Sequence, residues 1–337
     1  MYRRYSIEIL TLLYLLVYIP YALLVRWLAT VDYPPLGRPM SGLEILPATM
    51  ILSGGLTVLF ATLSGWSKQA HHRRILGVSV PWPTRWTLLS GIGTSLLLFT
   101  VPLSFTFQGV SIPFMQLLMR GDVLVIAPLV DLATGRRVAW YSWVALFLVG
   151  LGLALTISHR GGLRLPPLAV VTVVLYALGY FVRLAVMTKI GKTGDPATAK
   201  GYFVEEKLVA IPLAVAALAA ISISGLGVQG HELNFGFVQV WGSNHLDAIL
   251  ALSALLVLIS IFSLLILLDP RENTFCVPLE RSASVLAGTA AAYILAAMSL
   301  GKAPNNVELG GAVLLIAAIA ILTFGPRLGS ASVPKPA

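Results

Sequence analysis

Ten runs of about twenty apolar residues, separated by short polar connections, constrain this chain more than any other feature. They fall at about 7–28, 43–65, 85–107, 110–132, 139–157, 166–188, 203–224, 246–268, 277–299 and 305–324. A helical run of that length matches the roughly 30 Å hydrocarbon core of a bilayer. Each run must be helical, because a backbone amide facing lipid has no water to bond. The sequence therefore predicts an all-α membrane protein of ten transmembrane helices. Only 11% of residues are charged and 57% are hydrophobic, with mean hydropathy +0.87, whereas soluble domains carry about 25% charge. A chain of 337 residues has room for two soluble domains, but no segment between the runs is long enough to fold alone. The last stretch, 325–337, is rich in Gly, Pro and Ser and reads as a disordered cytoplasmic tail.

The formal charge of +9 would suit a nucleic-acid binder. The basic residues instead sit in the short connections, where lipid headgroups and topology account for them. With the N-terminus in the cytoplasm, fourteen of the 23 basic residues lie in or beside cytoplasmic connections and five in or beside external ones. That bias places both termini in the cytoplasm. The basic start before Ile7 resembles a signal peptide, but the apolar run to Leu28 is too long and no small-residue cleavage site follows. It reads as a retained first span. The single cysteine, Cys276, excludes an internal disulfide and a cysteine-based metal site.

The spans repeat. Adding 161 to the first five reproduces the starts of the last five, three within about two residues and two within five or six. An odd number of spans per half turns the second half upside down, so 1–157 and 166–324 form two inverted five-helix repeats. This is the plan of many secondary transporters, with a site near the midplane between halves. The same offset maps Glu44 onto Glu205, Phe114 onto Phe275, Leu118 onto Leu279 and Arg120 onto Arg281.

Four basic residues, Arg120, Arg183, Lys207 and Arg281, lie inside predicted spans. A charge at the bilayer centre costs at least about 2.5–3.5 kcal/mol, so such residues are functional candidates. Arg120 lies about 15 Å along its helix, and Asp122 is on the wrong side of the helix to pair with it. Arg281 follows Glu280: if its span starts several residues before 277 it matches Arg120 in depth from the other side, and if not it lies near the cytoplasmic face and can snorkel. Arg183 is close enough to a helix end to snorkel. Glu205, Glu206 and Lys207 open span seven, where acidic residues suit the helix dipole. Glu44 shares that reading through the repeat.

Other motifs carry less. Gly191-Lys192-Thr193 lacks the upstream glycine of a phosphate-binding loop, having Val186 there, and follows a membrane helix rather than a strand. His71 and His72 beside Arg73 and Arg74 read as a cytoplasmic basic anchor. His231 and His245 have no metal-ligand spacing. Gly150, Gly152, Gly310 and Gly311 suit close helix packing.

With these residues assembled, the chain resembles the drug/metabolite transporter superfamily, the EamA-like and nucleotide-sugar-transporter-like carriers. The closest stretch is IPFMQLLMRGDVLVIAPLVDL, the basic turn TGRRVAWYSW, then LFLVGLGLAL, with VPLERSASVLAGTAAAY resembling the ninth span. In that family the fourth and ninth spans line the central cavity, which the resemblance carries onto Gln116, Arg120, Glu280, Arg281 and Ser284. The connection from Gly225 to His245 is longer than the family pattern.

The expected function is a secondary carrier moving a small, anionic organic metabolite by alternating access, with no ATP site, cofactor or metal. Arg120 and Arg281 stay protonated and favour the anion, with Gln116 and Ser284 beside them. Asp122, Glu205 and Glu280 are the candidates for proton coupling. Glu44 and Arg183 are weaker site candidates. Two other classes fit the same spans: a lipid or lipid-linked substrate flippase, and a membrane-embedded enzyme on lipid-linked substrates using His71 and His72. Expected partners are the solute, the lipid bilayer and, as a candidate, a second copy in a homodimer. The expected setting is a bacterial cytoplasmic (inner) membrane. Cysteine-accessibility labelling in intact cells tests the orientation. Single cysteines near Arg73 and Lys192 are expected to be protected from impermeant external reagents, and labelling at either position reverses it.

Overall fold

The structure is a computed structural model that describes residues 6–33, 36–75, 77–103, 119, 123–159, 167–225, 227–299 and 306–330. It is almost wholly helical. The α-helices are α1 (Ile7–Leu28), α2 (Gly42–Leu63), α3 (Arg85–Leu103), α4 (Val123–Ala133), α5 (Trp140–His159) and α6 (Pro167–Val186). They continue with α7 (Pro196–Ser224), α8 (Gly227–Val238), α9 (Leu246–Leu267), α10 (Asn273–Ala297) and α11 (Asn306–Ser330). Five stretches, Ile7–Leu28, Gly42–Leu63, Ala169–Gly191, Pro196–Ser224 and Leu246–Leu267, are each long and apolar enough to cross a membrane. Large apolar side chains also cover the outside: Leu63, Val125, Phe147 and Ile223 are all more than half exposed. Such a surface suits lipid rather than water.

Local chemistry explains where the helices depart from the apolar runs. α7 starts at Pro196, seven residues before the run at 203. The Asp195 carboxylate caps it, accepting from Ala197 N at 3.2 Å and Thr198 N at 2.9 Å, and proline occupies the first turn. The Thr198 hydroxyl adds a third bond, and these donors hold the Asp195 carboxyl below the usual carboxylate range. Glu205, Glu206 and Lys207 therefore lie well inside α7 and do not open it. The long connection between α7 and α9 contains α8, and α6 runs on into a π-turn at Met187–Gly191. α11 continues to Ser330, into the stretch expected as tail, because Gly325 packs directly against the Tyr141 side chain of α5.

Two short hairpins link the first helices. β1 (Asp32–Tyr33) pairs with β2 (Arg38–Pro39), and β3 (His72–Ile75) pairs antiparallel with β4 (Val78–Pro81). In the bundle, α3 lies against α6 and α7, while α1 lies against α9 and α10. α2 meets α7, α8 and α9; α5 pairs with α11; and α10 reaches α4, α5 and α11. α3 and α6 approach at a glycine pair: a Cβ on either Gly93 or Gly179 would lie 2.7 Å from the other's carbonyl oxygen. Gly152 and Gly311 also face each other between α5 and α11.

Two turns at one end of the bundle cap each other's helices. Asp131 at the end of α4 is fully buried. Its Oδ1 accepts from Asn273 N at 2.9 Å and Asn273 Nδ2 at 2.8 Å; its Oδ2 accepts from Thr274 N and Thr274 Oγ1, each at 2.7 Å. A residue 142 positions away thus satisfies the first amides of α10. In return Glu272 Oε1 accepts from Ser142 Oγ at 2.8 Å at the start of α5. Arg136 Nη1 and Lys192 Nζ donate to the carbonyls of Pro270 at 2.8 Å and Arg271 at 2.7 Å. Asp131→Ala strands these donors and is expected to cost about 2–4 kcal/mol of stability, with Asp131→Asn costing less. Unfolding in detergent micelles measures both; an Asp131→Ala protein as stable as wild type contradicts the tertiary cap.

Candidate functional site

Two buried ionic groups sit between helices of different halves of the chain. The first joins α3, α6 and α7. Arg183 Nε donates to Glu206 Oε1 at 2.8 Å and Nη2 to Oε2 at 3.4 Å. Ser90 and Thr94 of α3 donate to the same Oε1 at 3.0 and 2.8 Å, and Tyr202 OH does so at 3.2 Å. The Ser90 and Tyr202 hydroxyls also bond each other. Glu206 is 0% exposed and Arg183 9%. Arg183 does not snorkel to an interface: its charge is met inside the bundle, where the Gly93–Gly179 contact draws α3 and α6 together.

Glu205 points the other way. Its Oε1 accepts from His71 N at 2.9 Å and pairs with His71 Nδ1 at 2.7 Å; Oε2 accepts from Thr87 Oγ1 at 2.7 Å and Thr84 N at 3.2 Å. These groups flank β3 and β4, so Glu205 fastens that hairpin to α7. Glu44 does the same for the other hairpin. It completes a capping box with Ser41 and holds Arg38 of β2 at 2.6 Å.

The second ionic group is on α10. Glu280 Oε1 accepts from Tyr14 OH of α1 at 3.1 Å and Ser263 Oγ of α9 at 2.9 Å. Glu280 Oε2 lies 3.5 Å from Arg281 Nε. Arg281 Nη2 donates to Tyr176 OH of α6 at 3.0 Å, and its guanidinium covers the Tyr180 ring at 4.8 Å. Ser284 Oγ donates to the Arg281 carbonyl at 2.7 Å. Glu280, Arg281 and Ser284 are therefore together, whereas Gln116, Arg120 and Asp122 lie outside the described residues.

The tyrosines were not singled out from the sequence, although a signal is there. Tyr14, Tyr18 and Tyr21 of α1 recur as Tyr176, Tyr180 and Arg183 of α6 at an offset of 162, one residue more than the span starts suggest. The spacing puts each set on one helix face. Tyr14 and Tyr18 lie 5.5 Å apart and Tyr176 and Tyr180 6.2 Å, centroid to centroid.

A small cavity of about 20 Å³ lies between α2, α3, α7 and α9. Ser53, Thr57, Lys207 and Ser260 are its polar lining, and Met50 and Ile211 are among its apolar walls. A larger hollow of about 420 Å³ lies on the outer face of α5 around Trp143 and Phe147. One helix lines it with apolar residues, which makes it a lipid-facing groove. Among the described residues no cluster of His, Cys, Asp and Glu could hold a metal ion.

No family model and no curated protein matches the chain. Among 25 similar chains of solved structure is one described as "Crystal structure of protein", which superposes with a TM-score of 0.60 at 16% identity. The match covers 96% of this chain and 98% of that one. The likeness is therefore one of fold over the full length.

Breaking the first ion pair from one side leaves an uncompensated buried charge. Arg183→Met is expected to destabilise the protein by about 3–5 kcal/mol, and Arg183→Met with Glu206→Gln to recover most of that. Melting of the three purified proteins decides it; a double variant as unstable as Arg183→Met contradicts a paired structural role.

Proposed function

We propose that this chain is a secondary carrier that moves a small anionic organic metabolite by alternating access, with ten spans arranged as two inverted five-helix repeats. The observation that carries this reading is the Glu280–Arg281 pair on α10, held at once by Tyr14 of α1 and Tyr176 of α6. Those tyrosines are repeat mates, so equivalent helices of the two halves close on one ionic centre.

Packing supports the repeat. Exchanging α1 with α6, α2 with α7, α3 with α9, α4 with α10 and α5 with α11 turns the α1–α9 contact into α6–α3. It turns α1–α10 into α6–α4, α2–α9 into α7–α3, and α10–α11 into α4–α5; α2–α7, α4–α10 and α5–α11 map onto themselves. All of these contacts are present. Among the described helices α8 has no mate.

The chemistry follows from what opening does. With both halves closed, Glu280 balances Arg281 and the tyrosines exclude water. Movement of α1 or α6 away from α10 removes one tyrosine contact and opens the pair to solute from that side. Arg281 then supplies a fixed positive charge that draws an anion into the opening, and Glu280 is the carboxylate placed to exchange a coupled proton. Uptake into proteoliposomes of labelled carboxylates and phosphate esters tests this. Wild type is expected to accumulate at least one of them, and Arg281→Gln to lower that uptake roughly tenfold or more while remaining folded. Arg281→Lys keeps part of the uptake, because charge survives without the forked geometry. No anion uptake by wild type, or full uptake by Arg281→Gln, refutes the reading.

A further inference from the structure

Each buried guanidinium described above already has a carboxylate: Arg183 has Glu206 and Arg281 has Glu280. Lys192 is buried near a helix end and donates to the Arg271 carbonyl and the Cys276 sulfur. Lys207 differs from all three. It is 9% exposed, lines the small cavity, and has no hydrogen bond or salt bridge among the described residues. Its nearest marked contact is the Phe203 ring, 5.9 Å from the ammonium nitrogen. Glu206, next to it in sequence, attracts it through space but takes its hydrogen bonds from Arg183, Ser90, Thr94 and Tyr202.

The cavity's place is as telling as its cation. Ser53 is the twelfth of 22 residues in α2, and Val257 the twelfth of 22 in α9, so both lining segments are mid-helix. The four lining helices are two pairs of repeat mates, α2 with α7 and α3 with α9. Met50 and Ile211, which both line it, are separated by the repeat offset of 161. A mid-helix cavity between paired helices of the two repeats is where an alternating-access carrier holds its solute.

We infer that Lys207 anchors the anionic group of the carried solute, and that the solute is a small organic monocarboxylate with an apolar body. This rests on the carrier reading above. Arg183, Glu206 and Lys207 together carry one positive charge in excess, and an incoming anion offsets the cost of burying it. The charge to be matched is one, which a carboxylate meets and a phosphate dianion exceeds. Ser53, Thr57 and Ser260 supply hydroxyls around the head group, while Met50, Ile211 and Leu256 meet the body. At about 20 Å³ the cavity holds roughly a single water, so the solute enters when α2 and α3 part from α7 and α9.

Binding to the purified full-length protein in detergent, followed by calorimetry, tests the assignment. The probes are α-ketoisocaproate, which is ionised and carries a branched apolar body, and glycerol phosphate. Wild type is expected to bind the ketoacid and to bind glycerol phosphate more weakly. Lys207→Met should weaken ketoacid binding roughly tenfold or more, and Lys207→Arg by less. Ser260→Ala lies on a different helix and should weaken it several-fold, which keeps the test open if Lys207→Met fails to fold. No ketoacid binding by wild type, tighter binding of glycerol phosphate, or unchanged ketoacid affinity in folded Lys207→Met or Ser260→Ala overturns the inference. Proteoliposome uptake separates the two readings. Lys207-dependent binding without uptake sinks the carrier and keeps the site, whereas uptake indifferent to Lys207→Met sinks the site and keeps the carrier.

Discussion

A carboxylate between apolar helices costs several kcal/mol to ionise unless donors surround it, and that requirement organises this bundle. Glu206 gathers Arg183, Ser90, Thr94 and Tyr202, so α3, α6 and α7 have one mutual arrangement that satisfies them all. Asp131 does the same for α4 and α10, and Glu280 for α1, α9 and α10. Apolar packing alone gives helices in lipid little preference for register, because lipid tails are as apolar as leucine. Polar contacts supply that preference here.

Acidic residues of similar appearance thereby acquire different work. Glu205 and Glu206 are adjacent, yet a step of 100° round the helix sends one to the β3–β4 hairpin and the other to Arg183. Glu44 and Glu205, 161 positions apart, each tie down a hairpin. Glu280 is less enclosed: one oxygen takes two hydroxyls and the other faces Arg281 at 3.5 Å. A pair held loosely, by groups from both halves, is better suited to rearrangement than the bidentate Arg183–Glu206 pair.

Much of the helical layout could be read from the chain, because hydropathy is a local property and backbone hydrogen bonding leaves lipid-facing segments no alternative to helix. The runs at 7–28 and 246–268 reappear almost unchanged as α1 and α9. Boundaries shifted where a polar signal competed with hydropathy. The Asp195–Pro196 cap extended α7 backwards, and the Gly-rich segment after Gly227 formed α8 without an apolar run. Arg183 was read as a snorkelling residue because its distance from a helix end is visible in sequence and its partner on α7 is not. The tyrosine sets of α1 and α6 escaped notice because their offset differs by one from that of the span starts.

The sequence by itself determined that the chain is a stack of apolar helices, which way its charges bias it, and that its halves resemble each other. Each of those follows from composition within some twenty residues, or from comparing one such window with another. Only the tertiary structure decided which charges are spent on each other and which is left over. Pairing Asp131 with Asn273 or Tyr14 with Glu280 joins residues 142 and 266 positions apart, and no local pattern encodes that distance. Lys207 is the clearest case. In the sequence it is one of four intramembrane cations; in the fold it lines a cavity without a hydrogen bond or salt bridge among the described residues, because the neighbouring Glu206 is bonded to Arg183.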